Sequence, residues 1–207
     1  AVTSDDQFAQ PKPDLIALHG PVAKNHFIET GYPLSKTVEV EALRYLNIGA
    51  NEAEKVIDPI KINILLIGEI KTAPTLEMLS AVVIAAECNE DIMLTFKSHP
   101  GSLISTAMIN KPSVRITTEP LDLLLPIFDI AIVSNSTSAA VDVYYSGINM
   151  IIHLGIDELN LSPLREFDDV AFTRSVESLK VQLSDYGKNR LEKSRAQNFF
   201  WTESALP

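Results

Sequence analysis

The chain has 207 residues, of which 46% are hydrophobic, and it carries a formal net charge of −10. That length and apolar content suffice for one complete core and part of a second. The acidic balance argues against general nucleic-acid binding, which needs a basic face. Cys88 is the only cysteine, so the chain has no intrachain disulfide and no cysteine-based zinc cluster, and a reducing compartment fits.

Segments with strand and helix patterns alternate along the chain. Strands are predicted at 14–18, 37–40, 61–67, 92–97, 113–117, 130–133, 149–153 and 169–172. Helices are predicted at 22–30, 75–87, 103–109, 120–125, 139–145, 175–183 and 187–201. This alternation predicts an α/β fold with a Rossmann-like open, mostly parallel sheet and helices on both faces.

The predicted elements divide the chain into four segments. Residues 1–50 hold an incomplete βα unit that resembles the tail of another domain, and the polar residues 51–59 form a linker. Residues 60–185 form the main α/β domain. Residues 186–207 form a C-terminal helix whose aromatic end is expected to pack back toward the N-terminal part.

The most informative turn follows the apolar run at 130–133 and contains five polar residues before the next helix: Ser134, Asn135, Ser136, Thr137 and Ser138. A helix N-terminus has unpaired backbone N–H groups and a partial positive charge, so it favours an anion. Serine, threonine and asparagine are also good N-caps, and capping alone is the simpler explanation. Four hydroxyls exceed what a cap needs, which favours a phosphate or phosphosugar site.

A second polar loop, residues 98–102, follows the predicted strand at 92–97. His99 can donate to a phosphate or ribose, Pro100 fixes the adjacent backbone, and Gly101 leaves space for a ligand. A histidine satisfied by a neighbouring carbonyl is the alternative. In open α/β sheets, ligands bind beyond the carboxyl ends of the strands, which is where both loops lie.

The same rule adds weaker candidates at other strand ends: Gly68, Glu69, Glu119, Pro120, His153 and Ser162. Each has a plain structural alternative, such as a helix start at Glu119 and Pro120 or packing at Ser162. The chain lacks GxGxxG, Walker, HExxH and GxSxG patterns, and no metal site is expected.

His99 and Pro100, followed on a later βα loop by the Ser134–Ser138 cluster, resemble the HP and S-S/T motifs of bacterial GT-B glycosyltransferases that use CMP-sugars. These are the sialyltransferases and Kdo transferases of capsule and lipopolysaccharide synthesis. Residues 13–46 resemble the closing βα unit of the N-terminal domain in surface-carbohydrate glycosyltransferases. The resemblance therefore covers most of the chain.

The resemblance implies that His99 contacts CMP and that Ser136 and Thr137 hold its phosphate, with Ser134 or Ser138 as alternates. It implies a CMP-sugar as donor substrate, no cofactor, a glycan or glycolipid acceptor and no nucleic-acid partner. The family's acidic motif, which supplies the general base, has no match here, so the catalytic residues are unknown and a missing N-terminal domain or partner chain is expected.

Two alternatives remain: another nucleotide-sugar enzyme (a UDP-sugar transferase, an epimerase or a polyol-phosphate transferase), and a non-catalytic nucleotide-binding module. The polar residues 1–13 contain no apolar signal core, and no stretch reaches the roughly 18 apolar residues of a membrane span. We therefore expect a cytoplasmic protein, with peripheral association at the inner membrane left open.

Overall fold

The computed structural model describes residues 13–45, 60–87, 89–102, 104, 106–109, 111–189 and 200. The chain divides into two compact units. The first comprises residues 1–50 with 196–207, and the second comprises residues 51–195.

The first unit contains one βαβ motif. Strands β1 (Ile16–Leu18) and β2 (Thr37–Glu39) pair in parallel, and helix α1 (Pro21–Glu29) connects them. Pro21 occupies the first helical turn, where its missing N–H costs nothing. Gly31 follows the helix at a φ of 72°, a left-handed conformation that favours glycine.

An aromatic stack joins the C-terminal part of the chain to this unit. The Phe200 ring lies 3.9 Å from the Tyr45 ring and 5.2 Å from the His19 ring, both in stacked orientations. Phe200 is buried, so the stack removes a large apolar surface from water.

The second unit is a six-stranded parallel sheet with the order β5-β4-β3-β6-β7-β8. Its strands are β3 (Ile62–Ile67), β4 (Ile92–Lys97), β5 (Val114–Thr117), β6 (Ile130–Ser134), β7 (Asn149–His153) and β8 (Ala171–Thr173). Its helices are α2 (Thr72–Ala86), α3 (Thr106–Ile109), α4 (Leu121–Leu124), α5 (Ala139–Tyr145) and α6 (Val176–Asn189). The predicted Rossmann-like α/β fold is confirmed.

The central strands are buried because helices cover the sheet. Residues 64–67 of β3 and all of β6 are buried, as their nearly continuous apolar runs predict. The core joins these strands to the apolar faces of α2 and α6, with Met78, Val82 and Leu179 almost fully enclosed. The right-handed crossover rule sends the β3–β4 and β6–β7 connections to opposite faces, because the chain leaves the centre in opposite directions.

One predicted break is wrong: residues 175–183 and 187–201 were expected to form two helices. Helix α6 instead runs continuously from Val176 to Asn189. Tyr186 packs against the core of the second unit, and a Cβ on Gly187 would lie 3.6 Å from Ile62 Cδ1. Packing against the sheet outweighs the low helix propensity of Gly187. Residues 190–199 lie outside the described part of the chain.

Candidate functional site

The strand order places a topological switch point between β3 and β6. From β3 the chain proceeds outward to β4 and β5, whereas from β6 it proceeds outward to β7 and β8. The loops after these two central strands therefore diverge and leave a crevice at the carboxyl edge of the sheet. Glu69 follows β3 and Ser136 follows β6, so both lie at this crevice.

Gly68 is required for the close approach of β3 and α2. A Cβ at this position would lie 2.7 Å from Thr75 Cγ2 and 3.2 Å from the Phe96 ring. The Gly68 N–H donates to the Lys97 carbonyl, which ties the ends of β3 and β4 together. Gly68 thus allows β3, β4 and α2 to pack closely where the crevice begins.

Glu69 is buried, and its backbone is fixed by the side chain of Thr75. The Glu69 N–H donates to Thr75 Oγ1 at 3.0 Å, and Thr75 Oγ1 donates to the Lys71 carbonyl at 2.9 Å. The carboxylate of Glu69 reaches across the switch point to Ser136. Its Oε2 accepts from Ser136 Oγ at 2.7 Å and from the Ser136 backbone N–H at 3.4 Å.

The predicted phosphate turn retains free hydrogen-bonding groups. Within the described chain, the backbone N–H groups of Thr137 and Ser138 have no hydrogen-bond acceptor, and neither has the Ser138 hydroxyl. Ser134 is 2% exposed, and its hydroxyl has no hydrogen-bond partner in the described part of the chain. An unsatisfied buried hydroxyl is costly, so a ligand atom or a water that reaches it is stabilised.

The capping explanation of these hydroxyls is only partly correct. Ser138 occupies the N-cap position of α5, yet its side chain makes no capping bond. Thr137 Oγ1 instead accepts from the Ala139 N–H at 3.3 Å. Helix α5 has only seven residues. An anion at this turn would therefore meet the turn's own N–H and O–H groups rather than a long helix dipole.

Asn135 has a structural task that the sequence did not reveal. Its Nδ2 donates to the Leu159 carbonyl at 2.7 Å and to Glu158 Oε2 at 3.3 Å, and its Oδ1 accepts from the Leu161 N–H at 3.0 Å. Both ends of the amide are therefore used to hold the loop after β7. In this conformation Asn135 ties the turn to that loop, and both polar atoms of its side chain are bonded within the protein.

His99 is half-buried, and its loop determines its tautomer. The Gly101 N–H donates to His99 Nδ1 at 3.0 Å, so in the neutral ring the proton must lie on Nε2. No described residue hydrogen-bonds to Nε2. A Cβ on Gly101 would lie 3.4 Å from His99 Nδ1 and from Ile70 Cδ1, so glycine keeps this loop tight. Nε2–H is thereby left as a donor for a ligand.

The structure does not bring His99 into contact with the turn at residues 134–138, called the serine turn from here on. Strand β3 lies between β4 and β6, so the two loops are separated by two strand spacings, about 10 Å. No hydrogen bond joins His99 to the described residues of the turn. A ligand that contacts both loops must therefore extend across Glu69, as a nucleotide can.

His153 lies beside Ser134 in the register of β6 and β7 and is buried. Its Nδ1 lies 3.1 Å from Thr173 Oγ1. Burial lowers the pKa of His153 from its ordinary value, and the nearby Glu158 carboxylate opposes that shift. Ser134, Asn135, His153 and Glu158 line a small cavity with Pro74, Glu77, Met78 and Gly155.

The remaining candidates make local structural bonds. The Glu119 carbonyl accepts from Lys97 Nζ at 2.6 Å, and Pro120 is the N-cap of α4. Ser162 is fully buried, and its Oγ accepts from the Leu164 N–H at 3.1 Å. Among the described residues, no hydrogen bond joins these three residues to the serine turn.

Sequence reasoning did not single out Arg174, which organises the loop after β7. Its Nη1 donates to the carbonyls of Gly155, Ile156 and Glu158, at 3.0, 3.4 and 2.8 Å. An arginine after a short strand is not a distinctive pattern in a single sequence. The same is true of Glu158, three residues after Gly155, whose carbonyl Arg174 binds. Thr75, which fixes Glu69, was likewise concealed inside a helical pattern.

In the described part of the chain, no cluster of three histidine, cysteine, aspartate or glutamate side chains is arranged to hold a metal ion. Among the same residues, no helix is long and apolar enough to cross a membrane.

The second unit has a Rossmann-like α/β architecture with a crevice at its switch point, the fold that GT-B glycosyltransferases have. Two solved structures match with a TM-score of 0.61: a putative UDP-N-acetylglucosamine 2-epimerase from Listeria monocytogenes, at 14% identity, and S. aureus MnaA in a co-structure with UDP, at 13%. The alignments cover 90% and 93% of this chain but 54% and 56% of those chains.

The calicheamicin glycosyltransferase CalG4 matches at a TM-score of 0.58 and 12% identity, over 94% of this chain and 50% of that one. The chain thus spans about half the length of these proteins. No protein-family model matches the sequence, and no curated protein sequence matches it significantly. At such low identity the likeness shows the fold.

Proposed function

We propose that this chain is the donor-binding half of a glycosyltransferase of GT-B architecture, and that its ligand is a nucleotide-sugar. The observation that carries the proposal is the switch-point crevice, where the His99 loop and the serine turn flank Glu69. The solved structures support it, because one of them is a complex with UDP and the other two are a putative epimerase and a glycosyltransferase.

In this proposal the nucleotide extends across the carboxyl edge of β3. His99 Nε2–H donates to the ribose or phosphate, and the N–H groups of Thr137 and Ser138 bind the phosphate together with the Ser138 hydroxyl. Fixed donors that face a departing phosphate stabilise the negative charge that develops on it. Pro100 and Gly101 hold His99, while Ser134, Asn135 and Ser136 shape the turn.

Two donor classes are proposed, each with its own support. The HP and serine-threonine motifs resemble those of CMP-sugar enzymes, which favours sialic acid or Kdo as the transferred sugar and a surface glycan as acceptor. The structural neighbours favour a UDP-sugar, because one is a putative UDP-N-acetylglucosamine 2-epimerase and another is a complex with UDP. The crevice binds phosphate and ribose in either case, so the base must be determined by titration.

The transfer itself needs an acceptor hydroxyl that loses its proton to a general base. The described residues of the crevice offer one buried carboxylate, Glu69, which is already hydrogen-bonded to Ser136. We propose that the base and the acceptor site belong to another domain or a partner chain. A location in the cytoplasm, with peripheral association at the inner membrane, belongs to the same proposal.

The first prediction concerns two side-chain donors without a partner among the described residues, His99 Nε2–H and the Ser138 hydroxyl. His99→Asn retains an acceptor for the Gly101 N–H but removes Nε2–H, and Ser138→Ala removes a free hydroxyl. Each change should weaken binding of the preferred nucleotide by about 1–3 kcal/mol, since a hydrogen bond to a charged group is lost. Isothermal titration with CMP, UMP, UDP and GDP measures the affinities and identifies the base.

His26→Asn, in helix α1 of the first unit, is the matched control and should leave affinity unchanged. Wild-type affinity in both crevice variants would contradict the proposed site. Failure of all four nucleotides to bind the wild-type chain would contradict nucleotide binding altogether.

A further inference from the structure

Glu69 places a carboxylate on two donors of the turn, next to the groups of Thr137 and Ser138 that the proposed function assigns to a phosphate. Its Oε2 accepts from both the hydroxyl and the backbone N–H of Ser136, at 2.7 and 3.4 Å. Binding of an oxyanion by these two groups shows that this part of the turn attracts negative charge. It also shows that an internal anion already occupies them.

The backbone of Glu69 is fixed, but its side chain has few attachments. The Glu69 N–H is bonded to Thr75 Oγ1, and this bond is independent of where the carboxylate points. Both bonds to Ser136 pass through one oxygen, and Oε1 has no donor among the described residues. The described chain contains no ion pair that involves Glu69. Rotation of one side chain therefore frees both donors of Ser136.

A phosphate bound at Thr137 and Ser138 would lie beside this carboxylate. Like charges a few ångströms apart repel strongly where the protein excludes water, and Glu69 is only 4% exposed. While Glu69 remains in place, two effects oppose phosphate binding. The Ser136 hydroxyl and N–H are already bonded to Glu69, and the negative carboxylate repels the phosphate.

We propose that Glu69 is an internal competitor for the anion position of the serine turn, and that nucleotide phosphates bind by displacing its carboxylate from Ser136. This inference rests on the proposed nucleotide site and adds a determinant of its affinity. A neutral nucleoside does not compete with Glu69, so the residue selects specifically against charge. It also promotes release of the nucleotide product, because the carboxylate returns to Ser136 when the phosphate leaves.

The test is Glu69→Gln, which removes the charge but keeps an oxygen that can accept from Ser136. We expect this variant to bind UDP and CMP about tenfold more tightly or better, because the repulsion is lost. Affinity for uridine and cytidine should remain unchanged. Glu87→Gln, an equal loss of charge just after the other end of α2, should behave as the wild type. Thermal unfolding checks that each variant is folded.

The outcomes separate this inference from the proposed function. If wild type binds UDP or CMP and Glu69→Gln binds it equally or more weakly, the competitor role is wrong and the nucleotide site stands. Weaker binding of nucleosides as well would make Glu69 a direct contact to a ligand hydroxyl. If neither protein binds any of the four ligands, both the inference and the nucleotide site are overturned.

Discussion

Position 68 accepts no side chain without a shift of its neighbours. The atom that Gly68→Ala adds would lie 2.7 Å from Thr75 Cγ2 and 3.2 Å from the Phe96 ring, and both neighbours are fully buried. We expect a loss of about 1–3 kcal/mol in the free energy of unfolding, as is usual for overpacking. Urea denaturation followed by circular dichroism measures it.

Gly187→Ala provides the matched comparison for this prediction. Its added Cβ would lie 3.6 Å from Ile62 Cδ1, an ordinary contact, and alanine favours a helix more than glycine does. This variant should be as stable as the wild type or more stable. Equal destabilisation of the two variants would contradict the close approach at Gly68.

His153 predicts a specific dependence of stability on pH. Because burial lowers its pKa in the folded state, the unfolded chain binds the proton more readily below the ordinary value of 6.5. Stability from this group is therefore complete above pH 6.5 and is lost as the pH falls, by up to about 1.4 kcal/mol per pH unit.

Urea denaturation at pH 7.5 and 5.5 measures this loss, and His153→Asn should reduce it. The comparison uses the difference between the two pH values, so a general destabilisation of the variant does not affect it. The prediction is wrong if wild type and variant lose equal stability.

Single residues also show what one sequence reveals. Ser136 and His99 were predicted as ligand contacts because four hydroxyls in one turn exceed what a helix cap needs, and because a histidine at the carboxyl end of a strand can donate to a phosphate or ribose. Glu69 and Asn135 were named as ligand contacts, but their partners lie 67 and up to 26 residues away in sequence. Tertiary structure brings such partners together, and no local pattern encodes them.

At the scale of elements, the loop at residues 155–162 has exposed apolar side chains, but its backbone is held by hydrogen bonds from polar side chains outside the loop. Ile156 and Leu159 are 72% and 78% exposed, yet Arg174 and Asn135 hold the loop's backbone. A loop opens locally when its backbone bonds are removed. Arg174→Ala should therefore make the loop open more often.

Limited proteolysis with thermolysin measures this opening, because the enzyme cleaves before exposed leucine and isoleucine. Loss of three bonds from a charged donor should raise the cleavage rate within residues 155–162 by about tenfold. Arg115→Ala, an exposed arginine on β5, should leave the rate unchanged. An unchanged rate in Arg174→Ala would show that the loop is stable without it.

The bounds of elements were predictable where local signals agreed. The bounds of β4, α5 and β7 were predicted correctly, because apolar runs end there at polar residues or at Gly147. The predicted helix at 103–109 is shorter, starting at Thr106, and the break before Gly187 does not exist. Propensity was misleading at Gly187, where contact with the core decides.

At the scale of the whole molecule, alternation of strands and helices predicted a Rossmann-like sheet. The hydrophobic periodicity locates the strands but cannot give their order, because it contains no information on which strands pair. The sequence predicted that the His99 loop and the serine turn bind one nucleotide at the same edge of the sheet. The strand order places β3 between the two strands that carry these loops. Glu69 therefore stands between them, and it became the most informative residue of the crevice.

The strand order also determines when each edge of β3 can pair during synthesis. Strand β3 pairs with β4 about 30 residues later, at Ile62 and Ile92, but its other edge pairs only with β6, at Ile64 and Ile130. A ribosome adds roughly 5–20 residues per second, so that edge of β3 waits several seconds for its partner. During synthesis the nascent chain thus exposes the unpaired edge of an apolar strand. Until β6 emerges, this edge can be bound by a chaperone or can associate with another chain.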